Sequence, residues 1–451
     1  MNNKFATAFF AALFTAACAA YAGKPNILLI VADDLGYADV GAHGCKDFAT
    51  PNIDSLAQNG LRFASGYVSS AVCAPSRAGL MTGRYQDRFG FQGNPKHGVQ
   101  WGLPVTERTM ADRLKTAGYK TAVFGKWHLG EKPEWHPLSR GFDEFFGFLS
   151  GMHDYFKTDD PQWGSIMRGR ERAELKEYLP FALAKEACGF IERQKEAPFF
   201  IYLAFNTPHT PLQAPADYLK KATQITDQRR QTYAAMVMAL DDAVGRVLST
   251  LREQGQEENT LIFFLSDNGG PLIAGSAPNG SKNDPLRGGK IQLWEGGIRV
   301  PFFIQWKGHL PAGKLVEEPI ISLDILPTAV AVAGLETQPE WKLDGLNLLP
   351  LLEGKTNHLT RKEFFWKFGD TQFAVRNGDW KLVRVHNDKG LFDLATDISE
   401  TTDHTAERGP FAKELKTHWD GWESQNQVVS LKSVAEDKKN RMETVKRGQE
   451  Q

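Results

Sequence analysis

The sequence predicts an α/β fold: a large, mostly parallel sheet flanked by helices, followed by a smaller C-terminal α+β domain. Three observations predict it. Continuous apolar runs of strand length recur as far as Trp306, a pattern that suits strands covered on both faces. Stretches with apolar residues three or four apart lie between them, and strand–helix alternation implies an open α/β sheet. Beyond about residue 350 the texture changes to short, turn-punctuated segments.

Each element follows in order. Lys4 precedes an apolar run over residues 5–17, and Ala20-Tyr21-Ala22 offers a small-x-small cleavage site. Residues 1–22 therefore read as a secretory signal, with export to the periplasm or outside the cell. Thr15-Ala16-Ala17-Cys18 is a weaker match to a lipid-attachment site, because Thr15 is not the preferred residue there. No other stretch approaches the ~20 apolar residues of a membrane span. The runs over residues 26–32, 121–124, 199–205 and 261–265 lead into Asp33-Asp34, Lys126-Trp127-His128, Asn206 to His209 and Asp267-Asn268, respectively. Residues 300–306 form a further run. In open α/β sheets ligands sit beyond the carboxyl ends of the strands, so these polar endings mark the site. Thr106 is the expected cap of a helix running through Leu114, with Gly118 past its end. Tyr233, Met236, Leu240, Val244, Val247 and Leu251 predict another helix, stopped by Gly255. Residues 373–385 read as a hairpin turning at Asn377-Gly378, and residues 391–394 as a short strand. The expected organisation is a main domain over residues 23–355 and a small one over 356–451, ending in a charged tail from Ser430.

A net charge of -1 advertises no nucleic-acid or anionic-membrane partner. Cleavage leaves Cys45, Cys73 and Cys188, too few for a disulfide framework and an odd number. Cys45 and Cys188 read as small, partly buried residues. Cys73 does not.

Cys73-Ala74-Pro75-Ser76-Arg77, followed by Thr82-Gly83-Arg84, resembles the sulfatase signature C-x-P-S-R…T-G-R. Asp33-Asp34, Gly125-Lys126-Trp127-His128-Leu129-Gly130, Pro208-His209, Asp267-Asn268 and Lys290 extend the resemblance, in the same order, across roughly residues 24–400. The resemblance implies an alkaline-phosphatase-like fold and a cysteine converted to formylglycine by a maturation enzyme. It also implies a calcium ion held by Asp33, Asp34, Asp267 and Asn268 together with the modified Cys73. The side-chain donors are all oxygens, which suits a hard cation such as calcium and fits zinc poorly. Cys73 is placed to open a helix, whose N-terminus favours anions. A hydrated aldehyde there has one hydroxyl to attack sulfur and a second to let sulfate leave, which a plain thiol or serine lacks. By resemblance, Arg77 and Lys126 hold the nucleophile and the sulfate, and His128 takes a proton. His209 and Lys290 face the bridging oxygen, with His209 the general acid.

Two loops, residues 86–101 and 147–163, are the expected walls of a sugar site. His153 and Asp154 are candidates for bonding sugar hydroxyls and Trp101 for stacking on a ring. The resemblance leans toward exported bacterial carbohydrate sulfatases acting on a galactose or N-acetylgalactosamine type sugar of a sulfated glycan. An N-acetylglucosamine-6-sulfatase or generic arylsulfatase is the near alternative. A phosphate or phosphonate ester hydrolase, or a non-catalytic glycan-binding protein, is the more distant one.

Overall fold

The computed structural model describes residues 23–273 and 275–427, so the signal segment and the tail from Ser430 lie outside the described residues. Its centre is a ten-stranded sheet. Five neighbours in it run parallel: Glu144–Phe148, Lys120–Lys126, Phe199–Ala204, Asn26–Ala32 and Thr260–Ser266. The run over 300–306 supplies Phe302–Gln305, which pairs antiparallel to Thr260–Ser266 and begins one flank; antiparallel pairing also begins the other, at Met167–Arg168.

The Asn26–Ala32 strand shows why an unbroken apolar run suits this place. Leu28, Ile30 and Ala32 point into one core, with the helices Leu179–Arg193 and Gln228–Glu253. Ile27, Leu29 and Val31 point into the other, with Cys73–Thr82, Met110–Thr116 and Ile325–Val332. Both faces are dry, so alternation disappears from the sequence. Register then aligns the chemistry: Ala32 lies beside Ser266, Val31 beside Ala204, and Ala204 beside Gly125. The residues that follow these positions emerge together along one edge.

Two local expectations shift. The Met110–Thr116 helix is capped by Thr109, not Thr106, because Asp112 returns the bond in a capping box. The hairpin turns on Gly378 and Asp379, one residue later than expected. Asn377 completes the ladder opposite Trp380, and Gly378 takes the left-handed φ of 56°.

Glu363–Phe368, Gln372–Asn377, Trp380–Val385 and Asp388–Asp393 form a four-stranded antiparallel sheet, against which the helix Gly409–Glu423 packs. It is fastened to the rest of the chain by an apolar cluster containing Tyr67, Tyr85, Trp294, Leu323, Trp366, Phe392 and Trp422. Inside this joint Lys381 lies 2.8 Å from Glu295 and 2.9 Å from Glu400, all three fully buried. Glu295 also accepts from Tyr67 at 2.6 Å and faces Arg299 at 3.3 Å. The network anchors the segment that carries Lys290. No helix among the described residues is long and apolar enough to cross a membrane.

Burial, with Glu295 nearby, pushes the Glu400 carboxyl from its ordinary 4.5 up to about 7 despite Lys381. A raised carboxyl pKa contributes stability below pH 4.5 that is lost as pH rises through about 7. Glu400→Gln, which keeps the shape without the charge, should therefore gain in thermal midpoint relative to the wild type as pH rises through that window. Parallel midpoint-versus-pH curves for the two proteins would contradict this.

Candidate active site

Asp33 and Asp34 follow the Asn26–Ala32 strand and are both buried, Asp34 with a φ of 64°. The left-handed turn lets consecutive carboxylates meet different partners. Asp33 Oδ2 accepts from Lys126 Nζ at 2.6 Å and lies 3.7 Å from Arg77 Nη2. Asp34 Oδ2 accepts from Lys290 Nζ at 2.8 Å and lies 3.5 Å from His209 Nε2. Burial opposes ionisation of Asp33, but Lys126, His209 and Arg77 outweigh it and hold its pKa below the ordinary range.

Cys73 opens the ten-residue helix Cys73–Thr82, with Val72 as N-cap, and its thiol lies 3.5 Å from Asp33 Oδ1. The next amide, Ala74 N–H, donates to Asn94 Oδ1 at 3.0 Å. Arg77 sits one turn on, on the same face. Its Nε and Nη2 reach Asp267 Oδ2 at 3.0 and 2.8 Å, and Nη1 donates to Tyr202 Oη at 3.1 Å. Asp267 is tied in a second way, accepting at Oδ1 from Asp34 N–H at 3.2 Å. Burial pushes the Cys73 thiol well above its ordinary pKa, Lys126 and Lys290 offsetting only part. As a thiol it is protonated and a poor nucleophile.

His128 follows Lys126 in a left-handed conformation with a φ of 58° and is buried. A methyl group added at Gly151 would lie 2.6 Å from its Nε2, so the backbone of the 147–163 loop closes directly over the ring. Burial first, then the charges of Lys126 and Arg77, hold His128 well below the ordinary histidine pKa. Burial also lowers His209, against the pull of Asp33. His209 Nδ1 is 2.7 Å from the Thr210 carbonyl, which can only accept. The neutral ring's proton therefore sits on Nδ1, and Nε2, facing the carboxylates, is the atom that takes a second proton.

Carboxylate or ring atoms of Asp33, Asp34 and His209 and the sulfur of Cys73 lie within 4.8 Å of one another. Asn268 borders them: its Nδ2 donates to Asp34 Oδ1 at 2.7 Å, while its Oδ1 is buried without a hydrogen-bond partner. A buried, unsatisfied oxygen beside two carboxylates fits a hard cation. Three fixed cations, Arg77, Lys126 and Lys290, face three carboxylates, so a divalent ion added here leaves the cluster positive and able to attract an anion.

The structure brings together Asp33, Asp34, Cys73, Arg77, Lys126, His128, His209, Asp267, Asn268 and Lys290. The three residues expected to touch a sugar behave differently. His153 is turned inward, with Nδ1 2.8 Å from Asp154 O and Nε2 3.2 Å from Gly164 O, so both nitrogens are occupied by its own loop. Asp154 caps Phe156 N–H and Lys157 N–H and accepts from Gln213, which makes it a loop organiser. Trp101 is half-buried, with its ring edge against Phe91 at 5.3 Å. Tyr202 and Asn279 escape sequence reasoning. Tyr202 is hidden inside an apolar strand, and Asn279 lies in a polar loop, donating to Asp34 O and Pro208 O.

The family model described as Sulfatase matches residues 25–335, and the one described as N-sulphoglucosamine sulphohydrolase, C-terminal, matches residues 289–420. The N-acetylgalactosamine-6-sulfatase of Canis lupus familiaris is 38% identical over 380 residues, covering 79% of this chain and 71% of the relative. The uncharacterized sulfatase YdeN of Escherichia coli (strain K12) is 32% identical over 485 residues, covering 87% of this chain and 84% of its own. Among solved structures, Ps i-CgsB in complex with k-i-k-neocarrahexaose superposes with a TM-score of 0.86 at 38% identity, covering 90% of this chain and 94% of that one.

The direction of the His128 shift is checked by the ring-carbon resonances of its imidazole. They should show a neutral ring with no titration between about pH 5 and 8. A titration in that range would contradict the burial described here.

Proposed function

The chain belongs to the sulfatase family, and from that premise we propose that its substrate is a galactose or N-acetylgalactosamine type sugar sulfate of a glycan, cleaved outside the cytoplasm. It is a sulfuric ester hydrolase. The observation that carries the sulfate-ester chemistry is the convergence of Cys73, Arg77, Lys126, His209 and Lys290 around the Asp33–Asp34 pair, with His128 beside Lys126 and Arg77. The names of curated relatives about as similar as 38% support the sugar.

A calcium ion fits Asp33, Asp34, Asp267 and Asn268, beside the modified Cys73, and when bound supplies positive charge against the sulfate oxygens. Formylglycine, made from Cys73 by a maturation enzyme, supplies when hydrated an oxygen nucleophile that the protonated thiol does not offer. The chain's own residues do the rest. Arg77 is locked by Asp267 and Tyr202, so its charge is fixed toward Asp33 before substrate arrives. Lys126 and Lys290 present ammonium groups on the two sides of the carboxylate pair, where they neutralise sulfate oxygens. His128, held neutral by burial, is an acceptor for the proton released at residue 73. His209 faces the bridging oxygen through Nε2, with Nδ1–H held by Thr210 O, and is the general acid for the departing sugar hydroxyl in its doubly protonated form, which Asp33 and Asp34 favour against burial.

Cys73→Ala should abolish sulfate release and leave the circular-dichroism spectrum and unfolding midpoint close to the parent. In active preparations the tryptic peptide over residues 63–77 should be lighter by the difference between CH2SH and CHO. A Cys73→Ala protein that still turns over would overturn the reading. Asp267→Ala should lose calcium affinity by calorimetry along with activity, because both the carboxylate and the Arg77 clamp go. Unchanged calcium binding would remove Asp267 from the ion's ligands.

A further inference from the structure

His209 stands on a short turn rather than on a strand or helix, so something must hold it still. Asp33 N–H donates to Thr207 O at 3.0 Å, and Asn279 Nδ2 donates to Pro208 O at 3.1 Å. The carbonyl of His209 itself is met from across the site. Tyr155 Oη lies 2.7 Å from His209 O and 2.6 Å from Asn206 O, in a fully buried position. Because a carbonyl only accepts, the phenol is the donor, and its one proton is shared between the two ends of the turn.

Tyr155 is itself built in. Its backbone N–H donates to Gln213 Oε1 at 2.9 Å, Gln213 Nε2 donates back to Asp154 Oδ2 at 2.9 Å, and its ring stacks on Tyr178 at 5.5 Å. Gln213 lies four residues past His209, so the 151–157 loop grips both sides of the histidine turn. The same loop closes over His128 through Gly151. Next in sequence, Phe156 is 49% exposed, which gives the loop an outward face as well.

We propose that Tyr155 is a positioning residue for His209: its hydroxyl fixes the turn so that Nε2 points at the bridging oxygen of the substrate. This rests on the reading of His209 as the acid. The loop that sequence reasoning treated as a sugar wall thereby acts on the leaving-group side of the chemistry. Protonation matters for a poor leaving group such as a sugar alkoxide and little for 4-nitrophenolate, and that difference separates positioning from a general loss of structure.

The test compares kcat and KM of wild type, Tyr155→Phe and His209→Ala on 4-nitrophenyl sulfate and on a methyl galactoside sulfate, using enzyme with the residue-73 aldehyde confirmed. His209→Ala should lose on the order of a hundredfold more in kcat on the galactoside than on the aryl ester. Tyr155→Phe should show the same selective loss, about tenfold or more, with KM little changed. Gln213→Ala, which releases the clamp while leaving the phenol, should show it to a smaller degree and stands in if Tyr155→Phe does not fold. Equal losses on both esters, or none, in a folded Tyr155→Phe or Gln213→Ala protein overturn the inference while a selective His209→Ala loss leaves the acid in place. An unselective His209→Ala loss instead overturns the assignment of His209.

Discussion

Two carboxylates buried side by side at the carboxyl end of the Asn26–Ala32 strand constrain everything around them. A lone ionised carboxylate in such surroundings costs several kcal/mol, so each must find a cation. Asp33 finds Lys126 and Arg77, and Asp34 finds Lys290. Those partners come from three parts of the chain. The sheet register and the Cys73–Thr82 helix bring two of them, and the buried joint with the small sheet, through Glu295 and Lys381, holds the segment carrying the third.

The same arrangement explains why the site suits an anion. Charges that neutralise one another in the resting cluster become available to a ligand once a divalent ion shares the carboxylates. Because Arg77 is also fixed by Tyr202, little reorganisation is left for the moment of reaction. The low polarity that suppresses the Cys73 thiol and keeps His128 neutral belongs to the same burial. One physical condition thus sets the protonation states on which the proposed chemistry depends.

Much of this was legible in the sequence, for a definite reason. Asp33, Lys126 and Asp267 directly end or follow apolar runs, and parallel strands in register deliver such residues to one edge. The signature around Cys73 added the position of the proposed nucleophile. Contacts between segments far apart in the chain were not legible. Tyr202 looks like core in an unbroken aromatic and aliphatic run, and Glu295, Lys381 and Glu400 become a network only when the Glu295–Ile298 helix, the small sheet and the loop carrying Glu400 meet. The inward bonding of His153 and Asp154 was not legible either, because a polar loop beside a site is read as facing substrate. Here their polar atoms satisfy the loop's own backbone and Gln213. Thr109 displaced Thr106 as a cap because Asp112, not Glu or Gln, closes the box.

Sulfate release from a panel of sulfated sugars, measured with enzyme whose residue 73 is confirmed as the aldehyde, is the most direct measurement. The panel varies sugar (galactose, N-acetylgalactosamine, N-acetylglucosamine) and sulfate position, with matched phosphate esters as controls. The expected result is release from a galactose or N-acetylgalactosamine sulfate at one position, with the phosphates cleaved far more slowly. Faster cleavage of the phosphates, or no release from any sugar sulfate or simple aryl sulfate, would contradict it.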